Sequence, residues 1–205
     1  MRSQVGWKNA SLVVLALVVA TGCRKSNDGK EREMAERTGA VTMMGNPMTL
    51  VGNEVTVGQK APDADLITND LAAVKLSALC QGKVCIITSV PSLDTPVCDT
   101  ETRRFNEEAG KIGDGITVLT VSMDLPFAQG RWCGAAGVKN VQTLSDHRSA
   151  DFGKAYGVLI KDLRLLARAL FVVDRDGTIR YTELVNEVAS EPNYDAALSA
   201  AKELM

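Results

Sequence analysis

The chain holds one histidine, six prolines and five cysteines in 205 residues, and neither sign of charge dominates: 23 Lys and Arg stand against 25 Asp and Glu, a formal net charge of −2. With no block of basic residues there is no electrostatic footprint for a phosphate backbone, which excludes nucleic-acid binding as the main task. Five cysteines are too few for a disulfide scaffold. His147 alone, without any Cys-x2-Cys pair, supplies no metal-ligand set, and neither a metal nor another cofactor is implied. Internal repeats and low-complexity tracts are absent, and no apolar run reaches the roughly 20 residues that span a bilayer. What is present is ordinary globular material, 45% hydrophobic with 17 Gly, long enough for one domain with a sizeable core.

Residues 1–22 carry Arg2 and Lys8, no acid, and the apolar run Leu12 to Ala20, the pattern of a secretory signal peptide. The following Ala20-Thr21-Gly22-Cys23 resembles the lipobox of bacterial lipoproteins, with Ala20 where Leu is usual. That resemblance implies acylation of Cys23 and an anchor in a bacterial membrane; cleavage after Ala20 without lipidation is the alternative. Both readings place the protein outside the cytosol, in the periplasm or cell envelope. Removing the leader leaves 183 residues with 21 basic and 25 acidic side chains, a net charge of −4. Arg24 to Gly39 contains nine charged residues of sixteen and no apolar period, so residues 23–40 read as a flexible charged tether and residues 41–205 as the folded domain.

Within that domain, Val41 to Met43 and Met48 to Val51 flank Gly45-Asn46-Pro47 and predict a small N-terminal β-hairpin. Val84 to Val90 is apolar almost throughout, as in a strand covered on both faces. A helix is expected over about Cys98 to Lys111, a strand over Ile116 to Val121, a helix from Phe127 to about Ala136 and a short strand around Val141 to Leu144. The last third predicts strands at Ala169 to Val173 and Thr178 to Leu184, joined through Asp174-Arg175-Asp176-Gly177, and a closing helix from about Tyr194 to Leu204. Alternating strands and helices with a late antiparallel hairpin give an α/β class, a mixed sheet with helices on both faces.

The chemistry concentrates in Pro91-Ser92-Leu93-Asp94-Thr95-Pro96-Val97-Cys98, at the junction of the most apolar strand and a helix. Thr95 suits an N-cap and Pro96 the first helical position, where its missing N–H is not needed. Cys98 then lies in the first turn, where unpaired N–H groups and the positive helix end favour a thiolate. Asp99 and Glu101 oppose that effect if they point at the sulfur, so a cation is required. Arg103 and Arg104 are candidates, and Arg168 is a stronger one: it is the only charge in Leu165 to Val173. Its burial demands a partner, either the thiolate and its substrate or a structural carboxylate or carbonyl.

With these fragments placed, the chain resembles the peroxiredoxins, and within them the bacterial thiol peroxidases of thioredoxin-like fold. The resemblance runs from Gly45 to the C-terminus, through Gly58 to Pro62, Pro91 to Cys98, Asp124 to Gln129, Arg131 to Gly134, Ala155 to Val158, Ala167 to Ala169 and Val185 to Val188. It implies that Cys98 is the peroxidatic cysteine, attacking a peroxide O–O bond to give a sulfenic acid. Thr95 and Arg168 would hydrogen-bond the thiolate and the peroxide oxygens, and Pro91 would shield the sulfur. Cys133 would be the resolving cysteine, condensing with Cys98 to an intramolecular disulfide that a thioredoxin-like dithiol reduces. Because the two cysteines sit on different helices, local unwinding is expected for the bond to close. A homodimer is also implied by the resemblance.

Cys80 and Cys85, spaced Cys-x4-Cys, lie outside that pattern; Cys85 reads as a buried strand residue and Cys80 as exposed, with a second disulfide or a metal role as the alternative. A Cys98–His147 hydrolase is the rival enzyme, and a lipid-anchored redox-sensing or partner-binding domain with little turnover is the non-enzymatic reading.

Overall fold

The computed structural model describes residue 1 and residues 34–113 and 115–205. The expected leader, the Cys23 acylation site and most of the tether lie outside the described residues. Strand β1 (Glu36–Met43) begins within the stretch expected to be tether, and it pairs antiparallel with β2 (Asn46–Val51). The turn is Met44-Gly45, both in the left-handed region at φ 52° and 79°, which matches the twist of a two-residue hairpin. Asn46 and Pro47, expected in the turn, already belong to β2.

Strands β5 (Val84–Ser89), β6 (Ile116–Ser122) and β7 (Val141–Ser145) run parallel at the centre of a seven-stranded sheet. Each parallel step needs a crossover; α2 (Pro96–Ile112) links β5 to β6, and α3 (Pro126–Ala136) links β6 to β7. The antiparallel pair β10 (Ala169–Val173) and β11 (Ile179–Leu184) flanks β5. On the other side, β3 (Asp65–Ile67) and β4 (Ala73–Lys75) follow β7. Every β5 residue is buried, as an apolar strand sandwiched between two layers must be.

Alternation along β5 divides the core. Val84 and Ile86 face a cluster containing Phe105 of α2 and Tyr194 of α5 (Tyr194–Lys202), which meet edge to face with ring centroids 5.6 Å apart. Cys85 and Ile87 face the larger cluster, under α1 (Leu76–Cys80), α4 (Asp151–Ala155) and the N-terminal hairpin. That hairpin joins β8 (Leu159–Ile160) and β9 (Leu165–Leu166) in a second, four-stranded antiparallel sheet. Gly52 and Gly157 permit this docking: a Cβ at Gly157 would stand 2.4 Å from the Asn53 carbonyl oxygen, and one at Gly52 would stand 2.0 Å from that of Lys154. Glu187 fastens the hairpin turn by accepting the N–H groups of Met44 and Gly45, each at 3.0 Å, and the Thr42 hydroxyl at 2.8 Å. The Gly45 N–H foremost holds its carboxyl down to about 2.

Candidate active site

The carboxyl end of β5 delivers Val90 and a buried Pro91 to the sheet edge, and α2 starts at Pro96. Asp124, from the loop after β6, pins the intervening turn by accepting the Ser92 hydroxyl at 2.7 Å and the Leu93 N–H at 2.8 Å. Thr95 occupies the N-cap position with extended backbone at φ −127°, and Cys98 is the third helical residue. The Thr95 hydroxyl caps no backbone N–H of the helix. It lies 2.8 Å from Cys98 Sγ and 2.9 Å from the Ser92 carbonyl oxygen. One hydroxyl proton serves one acceptor at a time, and an anionic sulfur is the stronger.

Cys98 is fully buried among Val90 and Leu93, with Trp132 of α3 packed against them. The polar groups at its sulfur are the Thr95 hydroxyl and Arg168 Nη2, the latter at 3.3 Å. Arg168 enters from the segment between β9 and β10 and is 1% exposed. Its Nε donates to the Val188 carbonyl at 3.0 Å and its Nη1 to the Glu101 carboxylate. The alternatives raised by the sequence are therefore met together: one guanidinium serves the thiol, a carboxylate and a carbonyl. Burial works against its charge, yet Glu101 and Cys98 hold it above the ordinary arginine range.

Glu101, expected to oppose a thiolate, instead anchors that arginine. It is completely buried and also accepts the Thr88 hydroxyl. Burial raises its carboxyl to about 6, against the lowering influence of Arg168 and Thr88. Its inward direction was readable in the sequence, since Cys98, Glu101, Thr102, Phe105 and Ala109 follow a helical stripe, and all are buried. Asp99 turns away, bonding Arg103 at 2.8 Å and the Trp132 indole N–H at 3.0 Å. Arg103 also donates to the Ala136 carbonyl, and Arg104 bonds Asp195. Neither is the cation at the sulfur.

Cys133 stands apart. It is half-buried on α3, with Sγ 3.3 Å from the Thr143 hydroxyl and 4.0 Å from the Asn69 amide. Cys98 and Cys133 are both free thiols. The geometry thus gathers Thr95, Cys98 and Arg168, leaves Cys133 facing other partners, and shows Pro91 as a buried residue of the turn after β5. His147 bonds the Ser145 hydroxyl through Nδ1 at 2.8 Å and is not among the polar groups at Cys98, so the Cys–His hydrolase has no dyad here. Cys80, expected to be exposed, is buried because α1 packs it onto the sheet. Among the described residues no group of three or more His, Cys, Asp or Glu is placed to hold a metal.

A cysteine in the first turn of a helix, buried against a threonine hydroxyl and a guanidinium at the end of a central parallel strand, defines a cysteine-based redox protein of thioredoxin-like fold. Comparison with known proteins narrows that class. The Redoxin family model matches residues 56–198. A thiol peroxidase of Bacillus subtilis strain 168 is 55% identical over 165 residues, covering 80% of this chain and 98% of the relative. One from Halalkalibacterium halodurans is 56% identical over 163 residues, covering 80% and 97%. A solved peroxiredoxin-like protein from Aquifex aeolicus superposes with a TM-score of 0.76 at 47% identity, over 84% of this chain and 99% of that one. A thiol peroxidase from Chromobacterium violaceum, 20% identical, shares the fold with a TM-score of 0.72 over 80% and 95% of the two chains. The chain belongs to the Redoxin family, in the peroxiredoxin superfamily and of the bacterial thiol peroxidase type.

Proposed function

We infer that the protein is a thiol-dependent peroxidase that reduces hydrogen peroxide and organic hydroperoxides at Cys98. The observation that carries this reading is the Cys98 sulfur lying 2.8 Å from the Thr95 hydroxyl and 3.3 Å from Arg168 Nη2 in an otherwise apolar shell. Both donors stabilise an anionic sulfur, and both are placed to stabilise charge as it moves onto the peroxide. The Cys98 thiolate attacks one oxygen; the S–O bond forms as O–O breaks, and the departing oxygen takes a proton and leaves as water or alcohol. Cys133 then attacks the Cys98 sulfenic acid, an S–S bond replaces S–O, and water leaves. A thioredoxin-like dithiol reverses the disulfide by two exchange steps.

Since Cys133 bonds Thr143 and Asn69, resolution includes a local opening of α2 or α3 that brings the two Cα atoms within about 7 Å. Cys23 acylation, tethering in the cell envelope and homodimerisation complete the proposal, supported by the leader pattern and by the family resemblance. The test is single-turnover consumption of cumene hydroperoxide. Within the first seconds Cys133→Ser consumes one equivalent and yields a sulfenic acid trapped by dimedone, and Cys98→Ser consumes none in that time. Equal consumption by Cys98→Ser would overturn the assignment.

A further inference from the structure

Cys80 and Cys85 take no part in this chemistry, yet they share one buried cluster, and Cys80 lines a cavity. Cys80 ends α1, and the chain turns back through a bond from the Lys83 N–H to the Cys80 carbonyl at 3.1 Å. Cys85 enters β5 as its second residue and packs in the same buried cluster as Cys80. The cavity, about 510 Å³, is lined by Pro62, Leu76, Cys80, Ile87, Tyr156 and Val173, with Arg175 among its polar lining. That is within the size range of ligand pockets.

Tyr156 supplies a second, independent observation. It is 1% exposed, held by Phe152 stacked at 4.4 Å and Phe171 edge-on at 4.9 Å, and its hydroxyl has no hydrogen-bond partner. Buried phenols normally find one. This hydroxyl lies near enough to Cys80 and Cys85 that, after burial, their charges push its ionisation upward. Cys80 and the unpartnered phenol thus both line the cavity, and Cys85 lies in the same buried cluster. Cys85 opens β5 and Cys98 follows its far end, roughly 13 Å of strand from Cys85 to Ser89, so direct exchange with the active site is precluded.

We propose that Cys80 and Cys85 form a second peroxide-reactive dithiol, entered through this cavity, that takes organic hydroperoxides and closes to its own disulfide. Cys80, which lines the cavity, is the attacking sulfur. An S–O bond forms to the terminal peroxide oxygen while O–O breaks. Tyr156 donates its hydrogen bond to the departing alkoxide oxygen, which leaves as an alcohol after taking the proton released by the Cys80 thiol. Cys85 then displaces water from the Cys80 sulfenic acid, so two thiols and one hydroperoxide give one disulfide, one alcohol and one water. Leu76, Ile87 and Val173 suit the organic part. The Cys85 contact first, then burial and Asp63, hold the Cys80 thiol well above the usual range, with Lys83 countering. Closure is therefore slower than turnover at Cys98.

The test uses the full chain with Cys23, Cys98 and Cys133 replaced by Ser, reduced, then given excess cumene hydroperoxide and mapped by non-reducing peptide mass spectrometry. The expected product is a Cys80–Cys85 disulfide, one peroxide consumed per chain, and a rate at least roughly tenfold lower in Tyr156→Phe with its unfolding midpoint unchanged. Two surviving thiols, a sulfinic acid at Cys80 without pairing, closure only in urea, or an undiminished rate in Tyr156→Phe would each overturn the proposal. Should the triple variant not fold, the native chain gives the same answer: with excess peroxide the Cys80–Cys85 bridge appears after Cys98 has reacted, or the proposal fails. Because the triple variant lacks Cys98 and Cys133, its outcome is separate from that of the peroxidase reading.

Discussion

Arg168 and Glu101 work as one unit, and its consequences are separable by mutation. Replacing Arg168 leaves a buried carboxylate unpaired, a loss of about 3 to 5 kcal/mol unless Glu101 takes up a proton. Replacing Thr95 by Val removes one hydrogen bond to a charged sulfur, about 1.5 to 3 kcal/mol, so kcat/KM falls roughly 10- to 100-fold with the fold intact. Glu101 also carries a pH signature. Its folded carboxyl lies at about 6, above the ordinary 4.5 of a glutamate, so the stability it contributes is complete below 4.5 and is lost as pH rises through 6. Over that window the native chain should lose about 2 kcal/mol of unfolding free energy relative to Glu101→Gln; parallel denaturation curves for the two would contradict the assignment. Asp146 shifts in the same direction, raised by burial to about 6, and the comparison cancels it. At this scale the sequence exposed Cys98 and Thr95 through turn chemistry and Arg168 through its isolation among apolar residues, whereas Pro91 came from the family resemblance alone. The role of Glu101 escaped because a carboxylate's sign was read without its direction.

At the scale of elements, long patterned segments were legible and short ones were not. β5, β6, β10, α2 and α5 fall within a few residues of their expected bounds, because each carries an apolar run or period long enough to recognise. β3, β4, β8, β9, α1 and α4, of two to five residues each, are defined by their neighbours and have no period to read. Helix α3 is the informative exception: it was expected, yet of its eleven residues only Pro126 and Gln129 are buried. So thin an anchorage makes the Cys133 end of α3 the cheaper place to unwind, whereas α2 is held by Phe105 and the Glu101 pair. Hydrogen exchange should therefore show faster amides around Cys133 than in α2 from Thr102 onward, and a further rise around Cys133 when the disulfide forms. Equal protection of the two helices would argue against α3 as the element that opens.

For the molecule as a whole, the mixed sheet with helices on both faces was foreseeable from alternation. The second sheet was not, because its strands β8 and β9 are two residues each. Its attachment depends on Gly157, where φ is +66° and a Cβ would collide with the Asn53 carbonyl. Gly157→Ala should lower stability by at least about 1 kcal/mol, and Tm by several degrees, while leaving the Cys98 pocket intact. At the membrane, fatty-acid labelling that disappears in Cys23→Ala would support the proposed anchor, and labelling that persists would refute it.

The central claim is that Cys98 and Cys133 exchange electrons with a peroxide. Its most direct test is to reduce the protein, remove the reductant, add one equivalent of peroxide and map the peptides without reduction. A Cys98–Cys133 disulfide formed within seconds and absent from Cys98→Ser is the predicted result. Survival of both thiols, or oxidation of Cys80 and Cys85 before Cys98, would contradict the account.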